Sequence, residues 1–153
     1  MPDDDRASIG TAAPEEWVAV ESLLEGAGLP TGGLDAHRET VLVARTDGQA
    51  VGCAALELYG SSALLRSVAV EASRRGSGLG GRLTEAALDL GRRHGIRRFY
   101  LLTETARTFF PRFGFREVSR DEVDPAVLAS EEFRTLCPAS STVMVLEEPG
   151  ALG

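Results

Sequence analysis

Val68-Ala69-Val70 closes an apolar run, and Arg75-Gly76-Ser77-Gly78-Leu79-Gly80-Gly81 follows it almost at once. The run, Ala63–Val70, reads as a strand. From about Gly78 to His94 the spacing is helical, with Leu79, Leu83, Ala86, Ala87 and Leu90 on one face. The glycines thus lie where a loop enters a helix. Glycine lets a ligand come close to the backbone. The first N–H groups of the helix and the positive end of its dipole then face an anion. Arg74, Arg75 and Arg82 add positive charge. Physically this is a cradle for a pyrophosphate.

Gly76-x-Gly78-x-x-Gly81 also fits the dinucleotide fingerprint. That fingerprint belongs after a first strand, with an acidic residue about 20 positions on. Here three strands come first, and the position about 20 on falls in the apolar stretch Phe99–Leu101. A glycine turn with no ligand is the other alternative.

Working outward, Arg6–Thr11 reads as a strand. Pro14 opens a helix with Glu15 and Glu16 in its first turn and Trp17, Val20, Leu23 and Leu24 at helical spacing. Gly26 and Gly28 end it. Thr40–Arg45 and Gln49–Leu58 are strands around the hairpin turn Asp47-Gly48. A second turn, Tyr59-Gly60-Ser61-Ser62, leads into Ala63–Val70. Asp89 and Arg93 form an i,i+4 pair, and Gly95 stops the long helix. Phe99–Leu102 is a strand, Thr105–Phe113 a short helix and Phe115–Val118 a strand. Pro125–Leu136 is a further helix, and Thr142–Leu146 the last strand. Hairpins followed by a β-α-β crossover predict an α/β fold with a mixed sheet and helices on its faces. No linker divides the chain, so residues 1–153 read as one domain.

Arg75-x-x-Gly78-x-Gly80, after a Leu65-x-Ser67-Val68-Ala69-Val70 strand and before Phe113-Gly114-Phe115, resembles the acetyl-CoA motifs of the GNAT N-acetyltransferases. The resemblance covers about residues 40–118. It implies a sheet of about 6–7 strands around a β-α-β acetyl-CoA core, with acetyl-CoA as co-substrate. By that resemblance Val68, Ala69 and Val70 meet the pantetheine. Arg75, Gly76, Ser77, Gly78, Leu79, Gly80 and Gly81 hold the pyrophosphate. Thr105, Phe109 and Phe110 complete the cofactor site. The strands Ala63–Val70 and Phe99–Leu102 are expected to splay apart and admit the thioester.

Leu56-Glu57-x-Tyr59-Gly60, Leu65-Arg66-Ser67-Val68, Leu101-Leu102-Thr103-Glu104-Thr105-Ala106 and Phe133-x-x-Leu136-Cys137-Pro138-x-Ser140 are similar to the arsenic-resistance N-acetyltransferases and to the acetyltransferase domain of N-acetylglutamate synthase. Both imply the α-amino group of a small acidic amino acid, or of an arsenic or phosphorus analogue. One departure stands out. Many members of the family carry a tyrosine where this chain has Phe110, and phenylalanine has no proton for the leaving thiolate.

Glu57 interrupts the apolar strand beside the cofactor strand and is the candidate base; Glu104 is a second one. Tyr59 is a candidate general acid. Arg66 interrupts the next strand and can grip a carboxylate in bidentate fashion, with Ser67 and Thr103 beside it. A hairpin turning about Ser61-Ser62 would set Glu57 opposite Arg66, where a plain ion pair is the competing role.

Composition excludes several classes. The net charge is -7, which argues against nucleic acid. All 16 basic residues are Arg, so Schiff-base and PLP chemistry through lysine is excluded. Cys53, Cys137, His37 and His94 show no metal-ligand spacing, so no metal is expected. Cys53, inside an apolar run, reads as a buried thiol. Cys137 is expected to pack behind the last strand, with a thiol near the substrate as the alternative. The sequence shows neither a secretory signal nor a membrane span, and the expectation is cytoplasmic. The expected partner is a small amine, with a homodimer possible. The alternatives are a peptide or protein N-acetyltransferase and an acetyl-CoA-binding regulator without turnover.

Overall fold

The structure is a computed structural model that describes residues 7–104, 106–136 and 140–148. Seven strands form one sheet in the order β1-β2-β3-β4-β5-β7-β6. They are β1 (Ser8–Thr11), β2 (Val41–Thr46), β3 (Gln49–Tyr59), β4 (Ser62–Val70), β5 (Arg98–Thr103), β6 (Arg116–Val118) and β7 (Thr142–Glu147). Only β4 and β5, joined by helix α2 (Leu79–Arg93), run parallel. The other neighbours are antiparallel.

Alternation along the strands divides the core. Val41, Val43, Cys53 and Ala55 pack beneath Val20 and Leu24 of helix α1 (Trp17–Gly26). Leu42, Ala44, Ala54 and Leu56 face the other way, onto Leu79, Leu83 and Ala87 of α2. The period-2 pattern therefore puts the two helices on opposite faces. A third cluster joins Leu64, Tyr100, Val143 and Val145 to Val123, Val127 and Phe133 of the segment before β7.

Local chemistry sets the turns. Asp47 and Gly48, both at positive φ, connect β2 to β3, as a two-residue hairpin requires. Pro14 opens the turn leading into α1. There the Glu16 carboxylate accepts the Ala13 N–H at 2.8 Å and also holds Arg45 Nε at 2.5 Å.

α2 lies close to the sheet because Gly91 has no side chain. A Cβ at Gly91 would stand 2.6 Å from Cζ of the fully buried Phe99. Gly91→Ala should therefore destabilise by up to about 2 kcal/mol, the overpacking cost less alanine's better helix propensity. Urea unfolding measures it. An unchanged or higher midpoint would show that Phe99 yields.

Several expectations change. The hairpin between β3 and β4 turns on Gly60 and Ser61, not on Ser61-Ser62, because Tyr59 pairs with Ser62. Glu57 thus lies opposite Leu64, and Arg66 opposite Ala55. They are diagonal neighbours on one face rather than a facing pair. The predicted helix Thr105–Phe113 is a 3₁₀ turn at Phe110–Phe113, and Thr105 lies outside the described residues. The predicted helix Pro125–Leu136 is broken into α3 (Pro125–Leu128) and a π turn at Glu132–Leu136. At the break, the Ser130 hydroxyl is drawn to Glu57 at 2.7 Å. Asp89 pairs with Arg92 at 2.9 Å, not with Arg93, and Arg92 also reaches Glu148 at 2.9 Å. A 3₁₀ stretch at Leu34–Thr40 had no sequence signal.

Candidate active site

β4 and β5 pair only from Ser62↔Arg98 to Leu64↔Tyr100. Beyond that they fork, as the family resemblance implies. On its other side β4 stays bonded to β3, with a bulge: Cys53 to Ala55 on β3 spans Ala69 to Arg66 on β4. The extra residue is absorbed where Ser67 takes φ 62, the left-handed region. A non-glycine residue there is uncommon and marks a functional candidate.

A cleft of about 770 Å³ fills the fork and continues to the glycine loop. Val68, Ala69, Val70, Arg75, Gly76, Gly78, Gly80, Gly81, Phe109 and Phe110 line it, as do Arg66, Ser67 and Thr103. Ser77 and Leu79 do not. The Ser77 hydroxyl donates to the Arg74 carbonyl and shapes the loop. Leu79 is buried and anchors the start of α2.

The loop suits an anion. Gly76 and Gly78 take φ 84 and 94, and a side chain at Gly76 would meet open space. The first α2 bond runs from Arg82 N–H to Gly78 C=O. The N–H groups of residues 79–81 precede it and have no helical acceptor. Arg74, Arg75 and Arg112 are among the lining residues. These features fit the pyrophosphate of acetyl-CoA, and the open edge of β4 beyond Leu64 fits an extended arm carrying amides. Phe110 is buried edge-to-face against Phe109 and Phe115, so it forms an apolar wall.

At the fork lies a buried charge cluster. Arg66, its side chain wholly buried, donates from Nη1 to Glu57 Oε2 at 2.9 Å and to the Gly32 carbonyl at 2.8 Å. Its Nη2 reaches the Pro30 carbonyl at 3.1 Å. Its Nε reaches Ser67 Oγ and Glu132 Oε2, each at 3.0 Å. Glu57 Oε1 accepts from Tyr59 OH at 2.5 Å and from Ser130 Oγ at 2.7 Å, with His37 Nε2 at 3.9 Å.

These contacts set the titrations. Burial pushes Glu57 upward, but the hydrogen bonds from Tyr59, Ser130 and Arg66, with the charge of Arg66, outweigh it. Its carboxyl ends below the usual value. Tyr59 is pushed up to about 12, first by burial and then by its bond to Glu57. Glu132 is pushed up to about 7 by burial; Arg66 pulls it down and Glu57 pushes it further up. Cys53 is buried as expected, and burial lifts its thiol to about 12.

Glu57 and Tyr59 are thus drawn together but stand behind Arg66, outside the cleft lining. Glu132 does line it, and the sequence reading missed it. The Glu131-Glu132 pair inside a stretch assigned to a helix was the available signal. Its proximity to Arg66 is a tertiary fact. Glu104 does not line the cleft, and Cys137 lies outside the described residues. Among the described residues no cluster of His, Cys, Asp and Glu could hold a metal, and no helix is long and apolar enough to cross a membrane.

The acetyltransferase (GNAT) domain family matches residues 37–117. The chain belongs to this family. Among solved structures it is similar to N-acetylglutamate synthase from Neisseria gonorrhoeae complexed with coenzyme A and N-acetyl-glutamate (24% identity, TM-score 0.79). That match covers 92% of this chain and 35% of the other, so the chain spans about a third of the synthase's length. It is also similar to Rv2747 from Mycobacterium tuberculosis, in complex with CoA and NLQ (22% identity, TM-score 0.75, covering 92% and 98%). A third likeness is a GNAT-family acetyltransferase from Brucella melitensis in complex with acetyl-CoA (26% identity, TM-score 0.62, covering 72% and 82%). No curated protein matches the chain.

Proposed function

We propose that the chain transfers acetyl from acetyl-CoA to the α-amino group of a small, acidic amino acid, or of its arsenic or phosphorus analogue. The observation that carries this is one cleft joining a glycine cradle to an Arg66–Glu132 ion pair at the β4–β5 fork. Val68 to Val70 would lie along the pantetheine, and the loop from Arg75 to Gly81 would hold the pyrophosphate. The ion pair offers a carboxylate to an ammonium and a guanidinium to an anion, the two ends of an amino acid.

Arg66 has five N–H groups. Four have partners on Glu57, Glu132 or Ser67, Gly32 and Pro30. One Nη2 N–H lacks an acceptor among the described residues. This supports a single hydrogen bond to the acceptor's anion in place of a bidentate grip. The small-molecule reading is further supported by the π turn, which places Glu132 in the cleft beside Arg66.

Thiol release from acetyl-CoA tests the reading, against amino acids, their arsinate and phosphinate analogues and short peptides. Release with an acidic amino acid or an analogue is expected. Release with peptides alone would overturn the small-molecule assignment.

A further inference from the structure

We propose that Glu132 is the proton acceptor of the transfer, with Arg66 and Glu57 as the residues that position it. This rests on the acetyl-transfer reading above.

The geometry separates two buried carboxylates that share one guanidinium. Both oxygens of Glu57 are occupied, by Arg66, Tyr59 and Ser130, and it lies outside the cleft lining. Glu132 lines the cleft, 4% exposed. Arg66 Nε holds only its Oε2, and Oε1 has no hydrogen bond among the described residues. The Glu132 N–H donates to Ser130 Oγ at 3.2 Å, which ties its backbone to the hydroxyl that also serves Glu57. Arg66 is the second residue past the last β4–β5 pair. The open carboxylate oxygen therefore sits near the closed end of the fork, where the thioester would reach in between the strands.

The step balances without a further reactant. The acceptor's ammonium gives one proton to Glu132 Oε1. The amine lone pair attacks the thioester carbonyl carbon, and a C–N bond forms. The C–S bond breaks, and its electron pair leaves on sulfur. The second proton of the nitrogen passes to that sulfur, giving free CoA thiol. Glu132 then returns its proton to water. This route needs no hydroxyl at Phe110, because the thiolate takes its proton from the amine.

Charge supports the assignment. Arg66 on β4 faces Glu132, Glu57 on β3 stands behind Arg66, and Tyr59 and His37 surround Glu57. Burial, opposed by Arg66 and aided by Glu57, holds Glu132 at about 7. A base poised there is ionised above neutrality and still able to take a proton.

The test uses the full chain and the best acceptor of the screen. Wild-type kcat should rise with pH through about 7. Glu132→Gln should lower kcat by about 10²–10⁴-fold and lose that limb, rising only as free amine accumulates. Acetyl-CoA affinity by calorimetry should stay unchanged. Glu132→Asp should keep the limb at an intermediate kcat. Glu57→Gln should move it to lower pH by removing a negative neighbour. A purely structural Glu132 would lower the melting temperature and leave the limb in place. Wild-type kcat in Glu132→Gln, or a limb near pH 7 that survives it, overturns the proposal. Should Glu132→Gln fail to fold, a limb that Glu57→Gln leaves unmoved overturns it equally. A wild type that binds acetyl-CoA but acetylates nothing overturns the transfer reading and this proposal together. That outcome is recognisable because it is silent before any substitution.

Discussion

Arg66→Met should lower the unfolding free energy by about 3–5 kcal/mol at pH 8, the cost of stripping one partner from a buried ion pair. The Arg66 side chain is wholly buried, and so nearly is that of Glu57. Methionine fills much of the same space, but it leaves Glu57 and Glu132 as two carboxylates with no cation between them. The pH dependence gives the sign. The pKa of Glu57 is depressed in the folded state. It therefore contributes stability above its ordinary value, and that stability is lost as pH falls through the lower folded value. Without Arg66 the part that its hydrogen bond and charge supply is lost, so the deficit is greatest at pH 8. It shrinks on acidification as Glu132 and then Glu57 take up protons. Urea titrations at pH 8 and pH 5 measure this. An equal deficit at both values would mean that Arg66 acts through packing of its stem and not through charge.

Gly78→Val should weaken acetyl-CoA binding by a hundredfold or more. Two charge-assisted hydrogen bonds from the loop, at about 1.5–3 kcal/mol each, account for that much. Gly78 caps α2 at φ 94. A branched side chain there would project where the phosphates must approach the N–H groups of residues 79–81. It would also strain the backbone by about 1–3 kcal/mol. Gly95→Val separates the two effects. Gly95, just beyond the C-terminal end of the same helix, has φ 80 and open space around its Cβ position, so it carries the strain without the ligand. Calorimetry should show binding lost in Gly78→Val and kept in Gly95→Val, with both proteins folded. Equal affinities would remove the glycine loop from the cofactor site.

Much of the fold was legible because its signals are local. Asp47-Gly48 marked a hairpin, the leucines of α2 marked a helix face, and the glycines after Val70 marked a loop entering a helix. The cofactor half of the cleft followed from the same short stretch. The acceptor half did not. Its chemistry depends on Glu57, Arg66 and Glu132, which come from β3, β4 and the π turn. A one-residue difference in the β3–β4 turn changed Glu57 and Arg66 from opposed to diagonal. Ser130 and Glu57 meet across 73 residues of chain, and no periodicity records such a contact. The broken helix after Pro125 was illegible for the same reason, since the bond that breaks it is tertiary.

The strand order has a consequence for how the chain reaches this state. β6 touches the sheet only through β7, which lies between it and β5 although it follows both in sequence. As the chain emerges from the ribosome, β1 to β5 and both long helices can assemble first. β6 must then wait, with no strand to join, until residues 142–147 have been made. During that interval the outer edge of β5 is open to a strand from another molecule, a hazard of late-closing sheets. Deleting β7 would remove two strands from the sheet, not one.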